Sequence, residues 1–125
     1  MNSHSTWELV PSSALFGTLI DRNRYAADDE IEAMLIVGAI DNPNYEVCFR
    51  IRYESSFAVN SKTCVNSETA SVGDGYVMVT TPRVKVDFGM ATIEAKVNPL
   101  NGSDCSQLSG CPFGVQWASF YLYSN

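Results

Sequence analysis

Apolar and polar side chains alternate through the middle of the chain: Val47, Phe49, Ile51 and Tyr53 are interleaved with Glu46, Cys48, Arg50, Arg52 and Glu54. A strand turns successive side chains to opposite faces, so residues 46–54 predict a strand with one buried and one wet face. Ahead of it, Asp41-Asn42-Pro43-Asn44 is a dense turn signal. The segment before that turn, EIEAMLIVGAI at 30–40, carries two patterns. Asp28 offers a helix cap, with Ile31, Met34, Leu35 and Gly38 on one side. The β-branched residues, Gly38 and the short turn instead favour a strand, joined to 46–54 as a hairpin.

Farther on, Gly73-Asp74-Gly75 predicts a turn and 76–80 a strand, with Pro82 marking its end or an edge. From Arg83 to Val97 the apolar set is Val84, Val86 and Phe88, and then Ala91, Ile93, Ala95 and Val97. The phase slips by one residue at Gly89-Met90, where glycine tolerates the bulge or tight turn that such a change of face requires. The last strand, 115–123, is apolar on both sides, with Ala118, Phe120 and Leu122 on one and Val115, Trp117, Tyr121 and Tyr123 on the other. Such a strand is central in a sheet or lies at an interface. With 15–20 added, six to seven strands separated by Gly, Pro, Asn and Ser clusters predict an all-β fold, an antiparallel β-sandwich of jelly-roll or immunoglobulin-like type. Residues 1–13 read as an extended N-terminal arm of a single domain, 1–125. Two connections, 55–74 and 98–114, are longer than compact domains usually carry, and long loops are where binding is first sought.

Composition supports that outline and narrows the partners. The chain has 125 residues, 46% hydrophobic and 18% charged, which is ample core for one domain and the opposite of a disordered composition. A net charge of -6 repels a phosphate backbone, and the eight basic residues form no patch, so no nucleic acid is expected as a partner. No apolar run approaches the ~20 residues that span a bilayer, so no membrane insertion is expected. The opening MNSHSTWELVPSS lacks the basic start and apolar stretch of a signal peptide.

Four cysteines, Cys48, Cys64, Cys105 and Cys111, allow three disulfide pairings. None forms a C-x-x-C, and His4 is the single histidine, so a zinc site would need all four thiolates at unfavourable spacing; no metal is expected. Local pairing, Cys48 with Cys64 and Cys105 with Cys111, would close loops at ~2 to 4 kcal/mol each. Bridges of that kind imply an extracellular, cell-surface or virion setting. Four buried free thiols in a cytosolic domain are the alternative.

The residues that carry chemistry are sparse. A serine or cysteine nucleophile needs a general base, and His4 sits in a polar terminal segment. Gly73 and Gly75 lack the third glycine and the following helix of a phosphate loop. Asn101-Gly102-Ser103 matches the glycosylation pattern in a loop, and Asn-Gly is also a favoured turn pair. Asp28, Asp29 and Glu30 have no EF-hand spacing and read as a solvated acidic turn. Trp7, Trp117, Tyr121 and Tyr123 offer large rigid faces that anchor protein interfaces or stack on sugar rings, with core packing as the ordinary use of a tryptophan on a strand.

Phe88-Gly89-Met90-Ala91-Thr92-Ile93-Glu94-Ala95-Lys96 and the segment from Gly114 to Ser124, GVQWASFYLYS, resemble two consecutive core strands of family-16 glycoside hydrolases. The resemblance covers about a third of the chain. It implies a β-sandwich in which these two strands pair and precede a catalytic E-x-D-x-E strand carrying nucleophile and acid/base. The nearest counterpart here, Glu30-Ile31-Glu32-Ala33-Met34, comes earlier, has Glu where Asp is expected and has Met34 where the proton donor should stand.

These readings converge on a non-catalytic structural or interaction subunit of an extracellular, cell-surface or viral assembly, without cofactor. Its expected partner is itself or another protein, held by Trp117, Tyr121 and Tyr123, with Trp7 as a further contact. A carbohydrate-binding module, or a truncated glycoside hydrolase relative, is the alternative.

Overall fold

The computed structural model describes residues 7–10, 17–39, 45–66, 77–100 and 113–124. His4, Asn101, Cys105 and Cys111, and with them the second disulfide and the glycosylation site, lie outside the described residues. The described residues form nine strands and no helix: β1 (Glu8–Leu9), β2 (Thr18–Ile20), β3 (Glu30–Ala39), β4 (Tyr45–Arg52), β5 (Thr63–Asn66), β6 (Val77–Thr80), β7 (Val84–Lys85), β8 (Gly89–Pro99) and β9 (Phe113–Tyr123).

All pairings are antiparallel and fall into two sheets. In one, β8 is flanked by β1 and β2 in succession along one edge and by β4 along the other, with β5 outside β4. In the other, β3 is flanked by β6 and β7 in succession along one edge and by β9 along the other. The inner faces meet in one core, which is the antiparallel β-sandwich that the alternation predicts. Ile31, Ala33, Leu35 and Val37 of β3 face Val47, Phe49 and Ile51 of β4 and Ala91, Ile93, Ala95 and Val97 of β8, all buried. Within each sheet large residues stand beside small ones, Phe49 opposite Ala95 and Phe120 opposite Ala33, which lets side chains fill the space without voids.

Several local readings change in three dimensions. Residues 30–39 are strand, as favoured, but β3 and β4 do not form a hairpin: they belong to opposite sheets. Each has one apolar face, and in opposite layers those two faces meet in the core. The connection 55–74 is ordered over its described part, 55–66. It folds back at once, with Ala58 N–H donating to Ile51 O at 2.8 Å and Tyr53 N–H to Ser56 O at 2.7 Å, and then supplies β5. Ser61, fully buried, fixes that return by accepting from Ile51 N–H at 3.1 Å and donating to Ala58 O at 2.7 Å.

The phase slip at Gly89 has a simple origin. Strand β7 pairs in one sheet and β8 in the other, so the inward direction reverses where the chain changes layer. Pro82 does end a strand: Thr81 makes the last ladder bonds to Ala33, one of them through its Oγ1, before the proline interrupts. Strand β9 is not central. Among the described residues it pairs only with β3, and a register shift between Ile36 and Val37 turns Val115 to the inner side, opposite Val37, rather than to the side of Trp117. The two segments that resemble paired glycoside hydrolase strands, β8 and β9, lie in different sheets.

Candidate functional site

Because β3 runs in register with neighbours on both edges, the outward residues of four strands, β3, β6, β7 and β9, line up in rows. Met78, Ile36 and Trp117 form one row, Thr80, Met34 and Ser119 the next, followed by Glu32 with Tyr121 and then Lys85, Glu30 and Tyr123. The face is therefore apolar at one end and charged at the other. Met78 is 64% exposed, Trp117 49% and Tyr121 44%, while Met34 and Ile36 between them are half-buried. The Ser119 hydroxyl, flanked by Trp117 and Tyr121 along β9 and by Met34 across, is sealed from water with no hydrogen-bond partner among the described residues.

At the charged end four side chains interlock. Arg83 Nε donates to Glu30 Oε1 at 2.9 Å, its guanidinium lies 3.7 Å from the centre of the Tyr123 ring, and the Tyr123 hydroxyl donates to Glu32. That hydrogen bond to Glu32 is the first cause of a raised Tyr123 pKa, with desolvation second. Glu30 and Glu32 thus share one face, as alternate strand residues must, and each carboxylate is engaged by a neighbour.

The structure brings Trp117, Tyr121 and Tyr123 together on this face, with Tyr123 covered by Arg83 and the other two presenting their rings. Trp7 is elsewhere. It lies on the outer face of the opposite sheet, where the Arg50 guanidinium sits 4.0 Å from its ring centre and 3.8 Å from that of Phe57. Arg50 and Arg52 both pair with the buried Glu94. Sequence reasoning missed Met78 and Ile36 as members of the aromatic face. The signal was present in the alternation of Val77, Met78 and Val79, which sends Met78 outward; its neighbours across the sheet were not readable.

Strand β9 adds an edge to this face. On its far side no described strand is paired, and Phe113–Tyr123 contains no charge and no proline. Exposed edges are ordinarily blunted by lysine, proline or short length, because their free N–H and C=O groups accept another strand. Cys48 and Cys64 stand directly opposite on β4 and β5 and form the expected disulfide. Among the described residues no helix is long and apolar enough to cross a membrane. Searched against protein families, curated proteins and solved structures, the chain matches none.

Proposed function

We propose that this chain is a non-catalytic structural subunit that associates with further copies of itself through β9, in an extracellular, cell-surface or viral assembly. The observation that carries the reading is the combination on one strand of exposed Trp117 and Tyr121 with an uncharged edge that no described strand covers. Pairing of β9 with its twin about a two-fold axis would extend the sheet across the dimer and bring the two aromatic rows together, since an antiparallel strand pair is self-complementary. A non-catalytic role is supported by Met34 standing where a proton donor would be needed beside Glu30 and Glu32. The Cys48–Cys64 disulfide supports an oxidising location.

Sedimentation equilibrium tests this directly. Wild type is expected to self-associate at micromolar concentration. Trp117→Ser and Tyr121→Ser should each weaken association by ~2 kcal/mol, roughly thirtyfold, whereas Leu19→Ser, at a still more exposed apolar residue of the other sheet, should not. A wild type that stays monomeric at high micromolar concentration would remove the reading. The same exposed rings favour a carbohydrate-binding module as the second reading, and a monomer that binds a glycan with loss on Trp117→Ser would establish it.

A further inference from the structure

On the outer face of the other sheet, around the disulfide, the fold gathers a donor set. Glu46 and Cys48 are two residues apart on β4 and share that face; β5 sets Cys64 opposite Cys48, and β8 sets Asn98 opposite Glu46. The ligand atoms of Glu46, Cys48 and Cys64 all lie within 4.8 Å of one another. Cys48 Sγ is 3.5 Å from Glu46 Oε1, and Asn98 Nδ2 donates to that same oxygen at 3.0 Å. A carboxylate held against two sulfurs is an odd neighbour for a disulfide, which has no proton to give it. It is an apt one for a cation.

We propose that reduction of Cys48–Cys64 opens a site for a zinc-class divalent ion, with Cys48, Cys64 and Glu46 as ligands and Asn98 as the residue that positions the carboxylate. A dithiol supplies two electrons and two protons; the S–S bond breaks, two thiols form, and the dithiol becomes a disulfide. The ion then displaces both thiol protons to solvent, and two thiolates, one carboxylate and one water complete four-coordination. Thiolate with carboxylate is a donor set that suits Zn²⁺, and Zn²⁺ in such a set needs ligand atoms roughly 3.5 Å apart. The sulfurs must separate to reach that spacing. Cys64 is exposed on the outermost strand and can rotate, while buried Cys48 stays fixed because β4 remains in register with β8 along its whole length.

The ion would bridge β4 and β5 where the covalent bond had been, so either state pins β5, and oxidation expels the metal. The site is remote from the aromatic face on β3 and β9 and does not depend on how that face is used. The net charge of -6 favours cation approach over distance, and works against Lys96, which stands opposite Cys48 on β8 with its ammonium 5.8 Å from the Trp7 ring centre.

The test uses the full chain carrying Cys105→Ser and Cys111→Ser, so that only this pair can respond. After reduction and anaerobic removal of the dithiol, Co²⁺ is titrated in and then competed with Zn²⁺, with circular dichroism recorded throughout. A single cobalt ion per chain is expected, with thiolate-to-cobalt charge transfer and the visible bands of four-coordinate cobalt, all lost on adding Zn²⁺ or on reoxidation. Glu46→Gln and Asn98→Ala, which leave both thiols in place, should each weaken binding by about tenfold or more. The proposal is overturned if the reduced, folded protein gives no charge-transfer band, if Glu46→Gln binds as well as its parent, if the oxidised protein binds cobalt equally, or if reduction alone dissolves the sheet signal.

Discussion

Gly89 is held at φ +110°, a conformation that residues with a Cβ rarely adopt, and a Cβ built there would stand 2.3 Å from Glu54 Oε2. The two costs are separable, because Glu54 is an exposed, flexible side chain that can swing away, whereas the backbone strain stays. Gly89→Ala should therefore lower stability by ~1 to 3 kcal/mol, and adding Glu54→Ala should not restore it; urea unfolding of both variants measures this. Tyr53 gives a second prediction. Burial is the main reason its pKa is pushed up to about 12, and its hydroxyl donates to Lys85 O at 3.0 Å. The folded state keeps this proton where the unfolded chain, with an ordinary tyrosine pKa near 10, has lost it. Stability is thus intact below pH ~10 and falls by ~2 to 3 kcal/mol as pH rises through about 12. Denaturation across that range should show the decline. Tyr53→Phe should flatten it without abolishing it, because burial also raises Tyr45.

At the scale of elements, β5 depends on one neighbour and one covalent tie. It has four residues, pairs only with β4 among the described strands, and is tied there by a disulfide spanning 16 residues of sequence. Closing a loop of that length stabilises by ~3 kcal/mol. Cys64→Ser should lower the unfolding free energy by about that amount under oxidising conditions and by nothing under reducing, metal-free conditions. Strand β4 itself should stay in place, since its inner residues Val47, Phe49 and Ile51 are anchored against β8 and the core. Hydrogen exchange would report this as faster exchange in residues 63–66 with little change in β4 and β8.

For the whole molecule, the proposed association through an uncharged strand would work against a net charge of -6 on each copy. The attraction is short-ranged and apolar, and the repulsion is long-ranged and screened by salt. Self-association should accordingly strengthen between 50 mM and 500 mM sodium chloride, concentrations that take the Debye length from roughly 14 Å to 4 Å. An interface built on ion pairs would weaken instead. Sedimentation at the two concentrations distinguishes them.

Period-two alternation by itself determined the main strands outside 30–40, because burial of one face is a local property written in every second residue. That is why 46–54, 76–80 and the two halves of 83–97 were legible, and why the slip at Gly89 could be placed to the residue. The sheet assignments were decided by tertiary structure alone. Strands β3 and β4 follow one another like a hairpin, but each can bury its apolar face only by crossing to the opposite layer, and no local pattern records which neighbour supplies the cover. The short strand β5, Thr-Cys-Val-Asn, has too few apolar residues to show an alternation, and Val115 changes face only because β9 shifts register against β3. The aromatic face follows the same division: Trp117, Tyr121 and Tyr123 share a side by simple alternation. Met78 and Ile36 join them, and Trp7 stands apart, because inter-strand register is fixed by backbone ladders between segments distant in sequence.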